Sequence, residues 1–274
     1  MEKKNNLKKL TFVVAPAADE AESLSFKKLT RYLEEKLKIS INLQYSNSYK
    51  EALLSIKNGS AQLGWLGSYA YMKFDQQNTD IEPFAVGILK GKTTSNYHSL
   101  FIANSKSDIT KIEDLREKSL TLSDEFSASG YEVPKHELEN IGLPITDKKN
   151  YKNIFYVKNH DEAIKSVLHG STDAAAISSI NFEKWLKNNK RENKNLRVIY
   201  QSSAISGPPL VFARNLDPFL KDEIKSVVLE AHNHIDLGGY GGEMERYIDI
   251  EASQTKHLES YIRPQWGWKT FLLI

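Results

Sequence analysis

Hydrophobic and polar positions along this chain switch period repeatedly. Lys9 to Ala15 is a short apolar run stopped by Pro16, which reads as a buried strand. From Ala21 to Lys38, Leu24, Leu29, Tyr32, Leu33 and Leu37 recur at helical spacing, and charges fill the other face. Ile39, Ile41, Leu43 and Tyr45 then alternate strictly, as a strand does. Ser48-Tyr-Lys-Glu51 is a capping box that opens a helix, and Gly59 closes it. A strand over 62–66, a helix over 68–76 and a strand over 83–89 follow. The polar passage Lys90 to Asn96 interrupts this order. The alternation then resumes, with strands over 97–103, 154–157, 173–177 and 196–200. Between and after them come helices over 112–117, from Val133, and over 161–169, 181–190 and 218–235. A second interruption spans Gln201 to Pro209. The tail from Gly238 is glycine-rich and then aromatic, with no readable period.

Strands alternating with helices predict an α/β fold with largely parallel sheets flanked by helices. The two interruptions predict two lobes joined by two crossing strands. Lobe one is then discontinuous, residues 1–93 and 204–274, and lobe two is the insertion 94–203. One internal echo fits that division. In Ile56-Lys-Asn-Gly-Ser and Val167-Leu-His-Gly-Ser a helix ends at Gly-Ser, and a strand of small residues follows. Each of those strands runs into a serine-containing turn, at Ser68 and at Ser178. Chance similarity of two helix–turn–strand units is the alternative to a duplicated lobe. Ser68 and Ser178 fall at strand ends, where open α/β sheets bind ligands.

The most informative stretch is Ser123 to Pro134, Ser-Asp-Glu-Phe-Ser-Ala-Ser-Gly-Tyr-Glu-Val-Pro. It joins the apolar run 119–122 to a helix whose Val133, Leu138 and Ile141 share a face. The first turn of a helix carries unpaired N–H groups and partial positive charge. Ser127 and Ser129 add hydroxyl donors there, and Gly130 permits close approach of the backbone to a ligand. Such a loop suits a small tetrahedral oxyanion. The plainer alternative is that Ser129 only caps the helix, with Ser127 lying before it.

Composition narrows the field. The chain has 274 residues, 37 basic against 35 acidic side chains and no cysteine. That balance gives no large basic field, so nucleic acid is not an expected partner. Thiol catalysis, disulfides and thiolate metal sites are excluded. The seven histidines form no His-x-x-x-His pair, and no Gly-x-Ser-x-Gly elbow, Walker loop or dinucleotide fingerprint occurs. No catalytic residue, metal or cofactor is therefore expected. Met1 to Leu10 is polar, so no signal or anchor is visible in this chain. No run approaches the ~18 apolar residues of a membrane span.

With these residues in place the chain resembles the phosphonate/phosphate-type substrate-binding proteins of bacterial ABC transporters, within the type II periplasmic binding proteins. The similarity runs from about residue 9 to 235. It rests on Tyr49 in Ser-Tyr-Lys-Glu-Ala-Leu, Trp65-Leu-Gly-Ser68, Tyr97-His98-Ser99, Ser127-Ala-Ser-Gly-Tyr131 and His160-Asp-Glu-Ala163 with Gly170, Asp173 and Ser178. The resemblance implies a two-lobed protein with no enzymatic activity, working as a monomer outside the cytoplasm. It implies a cleft that closes on an oxyanion held by Ser127 and Ser129 and delivery of that ligand to a transporter permease. The same fold also serves as the sensor portion of membrane signalling proteins, which is the alternative. By the same resemblance Tyr49 and Tyr97, with His98 beside it, face the ligand from the two sides. Ala128 stands where the family often has Thr, so one hydroxyl is missing. Asp161 matches an acidic position that contacts the amino group of aminophosphonates. A second family carboxylate has no counterpart, which leaves phosphate, phosphite and phosphonate open.

Overall fold

A computed structural model of the chain describes residues 9–16, 20–75, 80–238 and 244–250. The first part of the alternation forms β1 (Lys9–Val14), α1 (Glu20–Leu37), β2 (Ser40–Tyr45), α2 (Tyr49–Lys57), β3 (Leu63–Trp65), α3 (Ser68–Asp75) and β4 (Ile81–Leu89). The second forms β5 (Ser99–Asn104), β6 (Ser119–Leu122), α4 (Val133–Asn140), β7 (Asn153–Tyr156), α5 (His160–Leu168), β8 (Ala174–Ser178), α6 (Ser179–Asn188) and β9 (Leu196–Gln201). The chain then returns as β10 (Pro209–Ala213), α7 (Pro218–Glu230) and β11 (Met244–Asp249).

These strands make two separate sheets. One has the order β11-β4-β10-β3-β1-β2 and the other β7-β6-β8-β5-β9. Apart from β11 the two share a plan. β2-β1-β3 and β7-β6-β8 are parallel ladders, and β10 and β5 run against both of their neighbours. The sheets are thus mixed, with most strands of each pointing one way. The antiparallel strands have a topological cause. β5 and β10 each follow a crossing from the other sheet. They start at the seam, where the parallel strands end, and so must run backwards. The crossings pair with each other there: Tyr97 N–H donates to Ile205 O (2.9 Å) and Ile205 N–H to Tyr97 O (2.7 Å).

Periodicity located most elements to within a residue or two, but it missed β10 and β11. β10 is buried at all five positions. A strand covered on both faces does not alternate, so the run merged with the crossing before it. Its Phe212 stacks on Phe84 of β4, ring centroids 3.8 Å apart. The helix predicted over 218–235 ends at Glu230 and continues as a single tighter turn, Ala231–Asn233. The Ser48 box forms with a shift: Ser48 caps Glu51 N–H, while the Glu51 carboxylate reaches Asn47 N–H rather than that of Ser48. The echo holds in three dimensions. Gly59 and Gly170 both adopt positive φ (78° and 71°) after α2 and α5, and β3 and β8 occupy equivalent places in the two sheets. The glycine passage 239–242 and the aromatic end of the chain lie outside the described residues.

Candidate functional site

The seam between the sheets collects strand ends from both. Ser68 follows β3, Ser178 ends β8, the Ser123–Gly130 loop follows β6, and Tyr97 opens the way into β5. Tyr49, Ser68, Tyr97, Ser127, Ala128, Ser129 and Ser178 are all buried there. Tyr97, Ala128, Val133, Ile180 and Ile205 extend the apolar core of the first sheet, so the two halves are in contact.

The loop after β6 is wound more widely than an α-helix. Ala128–Glu132 forms one π turn, in which Glu132 N–H donates to Ser127 O (3.0 Å), before α4 begins. This corrects the capping expectation. Ser127, not Ser129, is the cap, and its hydroxyl accepts from Gly130 N–H at 3.1 Å. The helical path starts earlier than the Val133 periodicity indicates, so Ser129 lies inside the first turn. By helix geometry the N–H groups at Ala128 and Ser129 have no intrahelical acceptor. Gly130 also plays a different part from the one expected. A side chain there would stand 2.3 Å from Ser123 Oγ and 2.6 Å from Ser123 Cβ. Its bare backbone therefore admits Ser123.

Hydroxyl groups tie the two halves together. The Tyr97 hydroxyl shares hydrogen bonds with those of Ser68 and Ser129, and burial pushes the Tyr97 phenol up to about 12 although the two serines pull it down. Ser68 Oγ donates to Ser206 O (2.6 Å), and Ser99 Oγ donates to Ser129 O (2.7 Å). Beside this layer, Tyr69 on α3 hydrogen-bonds the buried carboxylate of Glu132, and burial and that carboxylate raise the Tyr69 phenol. Lys73 Nζ stands 4.7 Å above the Phe126 ring, a second contact from α3 to the loop after β6.

Other expected residues fall differently. His98 is half-buried at the crossing. Its ring Nδ1 lies 2.8 Å from Ser202 O, so that nitrogen carries the proton and donates. Asp161 is half-buried in the first turn of α5. Its neighbour His160, absent from the sequence-derived set, is 6% exposed and accepts a hydrogen bond from Ser178 N–H through Nδ1 (3.3 Å). Burial pushes His160 down to about 4, so the ring is neutral and its proton sits on Nε2. The signal for it was in the sequence. With Asn159 as the cap, His160, Ala163, Ile164 and Val167 fall at the spacing of one buried helix face.

Outside the hydroxyl layer the seam opens into a cleft of about 900 Å³. Its walls come from the ends of β1 and β2 on one side and from the loop after β6 and the end of β7 on the other. Among the described residues no group of His, Asp and Glu is arranged to hold a metal ion, and no helix is long and apolar enough to cross a membrane.

Comparison with known proteins shows the family and the fold. A family model described as ABC transporter, phosphonate, periplasmic substrate-binding protein matches residues 12–255. The chain belongs to that family. Its members are binding proteins, not enzymes. The phosphonates-binding periplasmic protein of Escherichia coli (strain K12) is 26% identical over 198 residues, which is 70% of this chain and 56% of that protein. A probable ABC transporter phosphite binding protein of Prochlorococcus marinus (strain MIT 9301) is 25% identical over 85% of this chain and 82% of its own length. A crystal structure of a Prochlorococcus marinus (MIT 9301) family protein in complex with methylphosphonate superposes with a TM-score of 0.77 at 22% identity, covering 95% of this chain and 99% of that one. The binding protein component of a Pseudomonas aeruginosa ABC phosphonate transporter gives 0.79 at 17%, covering 94% and 86%. Both superpositions establish the type II periplasmic binding protein fold.

Proposed function

We propose that this protein captures a phosphonate, or a closely related tetrahedral oxyanion such as phosphite or phosphate, outside the cytoplasm and delivers it as a monomer to an ABC transporter permease. The observation that carries this is the buried hydroxyl layer. Ser68 from one half meets Tyr97 and Ser129 from the other at the first turn of the helical segment 128–140. The Ala128 and Ser129 amides and the Ser127 and Ser129 hydroxyls are the donors for the anion. Ser68, Tyr97 and Tyr49 complete the enclosure. His160, held by Ser178 N–H through Nδ1, borders the site with Asp161, His98 and Ser178. Charge-assisted bonds from neutral, preset donors hold an oxyanion without a counter-cation.

The lobes of this reading are residues 1–93 with 204–274, and 94–203. They hinge at the crossings around Tyr97 and Ile205. A ligand touching both halves favours the closed state by its differential affinity for it. The Tyr69–Glu132 and Lys73–Phe126 contacts close with it.

The test is calorimetric titration with methylphosphonate, phosphite, phosphate and a neutral sugar. At least one oxyanion is expected to bind stoichiometrically and to raise the melting temperature, as linkage requires, and the sugar is expected to do neither. Ser129→Ala removes one charge-assisted hydrogen bond, worth roughly 1.5–3 kcal/mol, so affinity is expected to fall about ten-fold to a hundred-fold. An unchanged dissociation constant in that variant would remove Ser129 from the site.

A further inference from the structure

The oxyanion layer accounts for only the inner part of the seam. The outer cleft is far larger than a bare tetrahedral anion fills, and its chemistry is different. Three tyrosines line it: Tyr45 at the end of β2, and Tyr131 and Tyr156 facing it from the other half. The Tyr131 and Tyr156 rings lie 6.2 Å apart, tilted by 41°. Tyr156 is 58% exposed and Tyr45 41%, so both present ring surface to the cleft and the solvent. Among the described residues, Asp124, Glu125 and Glu162 supply carboxylates to the same lining, and Lys158 supplies a basic side chain. The Tyr131 phenol is raised, first by burial and then by its neighbours Tyr156, Glu132 and Glu125. A protein that binds anions thus carries a mouth of negative charge and aromatic rings. Ser123 connects the two regions. It lines the cleft, its hydroxyl is buried without a hydrogen-bond partner among the described residues, and it abuts Gly130 and the Ser127 cap.

We infer that the outer cleft is a subsite for a bulky organic cation at the far end of the ligand, and that the preferred ligand is an alkylphosphonate bearing a methylated ammonium group. This rests on the oxyanion reading above and specifies its substrate class. Tyrosine faces attract a poorly hydrated cation through their quadrupoles. Carboxylates at the rim add attraction for the same end and repel an anionic one. A small primary ammonium is well hydrated and gains less from rings than a trimethylated one does. The charge pattern also disfavours ligands with a second anionic group.

The test compares methylphosphonate, 2-aminoethylphosphonate, 2-(trimethylammonio)ethylphosphonate and 3-phosphonopropionate by calorimetry at low and at moderate salt. The trimethylammonio probe is expected to bind about ten-fold tighter than methylphosphonate. 3-Phosphonopropionate is expected to bind weakest, and the spread between the cationic and anionic probes is expected to narrow as salt screens the rim. In the Glu125→Gln/Tyr156→Leu variant the trimethylammonio probe is expected to weaken at least about five-fold, with methylphosphonate unchanged. Ser129→Ala is expected to weaken all four probes alike. If the four phosphonates bind the wild type equally, or if the double variant weakens methylphosphonate as much as the cationic probe, the subsite is refuted while the oxyanion site stands. If none of the four binds while phosphite or phosphate does, the subsite is refuted and the oxyanion site stands; if no oxyanion binds, the oxyanion reading fails and the subsite falls with it.

Discussion

Acidification from pH 6.5 to pH 4 is expected to remove roughly 3 kcal/mol of folding stability through one side chain, His160. The ring is buried at the start of α5, and burial holds it at about 4 against 6.5 in the unfolded chain. Its Nδ1 accepts the Ser178 N–H, so the folded state has no place for a second ring proton. The sign follows from linkage. Between the two values the unfolded chain binds the proton and the folded protein does not, so stability rises with pH across that window. It is fully present above pH 6.5, falls as pH drops, and levels off below about 4 as far as this group is concerned. Urea unfolding at several pH values measures the slope. His160→Gln keeps a polar side chain of similar length but cannot titrate, so its profile is expected to be flatter by about 1.4 kcal/mol per pH unit in that window. Identical slopes in the two proteins would show that His160 is not held neutral by the fold.

The second large effect is expected at Gly130. Its φ is not in the left-handed region, so an alanine meets no backbone strain there. The obstacle is packing: the new Cβ would fall 2.3 Å from Ser123 Oγ, 2.6 Å from Ser123 Cβ and 3.0 Å from Ser127 Oγ. Overfilling a close-packed site costs about 1–3 kcal/mol, and the displaced Ser127 cap adds about 1 more. Gly130→Ala is therefore expected to lower stability by roughly 2–4 kcal/mol and to weaken oxyanion binding at least about ten-fold, since the donors of the π turn move with it. Ser123→Gly in the same chain removes both of the closest atoms. It also removes a buried hydroxyl that has no partner among the described residues, so the double variant is expected to recover most of the stability. A Gly130→Ala protein as stable as the wild type would show that the loop does not pack this tightly.

The α/β class, the two interruptions of the alternation and most element positions are legible in the sequence, because they follow from local periodicity and turn chemistry. Leu24 to Leu37 can only be amphipathic helix, and Ile39 to Tyr45 only a half-buried strand. The serine loop after β6 is also legible as a strand, hydroxyls, a glycine and a helix start in order, which is the pattern behind the proposed anion cradle.

What local pattern cannot carry is the meeting of distant segments. β10 has no period because both of its faces are covered, and only the pairing with β3 and β4 shows it to be a strand. Ser127 became the cap and Ser129 the partner of Tyr97 because the chain takes a π turn that packs Gly130 onto Ser123. No spacing rule distinguishes that turn from an ordinary helix start. His160 outranks Asp161 in burial because α5 lays His160, Ala163, Ile164 and Val167 on the second sheet. The aromatic and acidic cleft joins Tyr45 to Tyr131 and Tyr156 across more than eighty residues of chain. The sequence determined which segments could fold and which loop carries the hydroxyl groups. The tertiary structure decided which side chains meet at the seam and which line the outer cleft, because those depend on contacts between segments far apart in the chain.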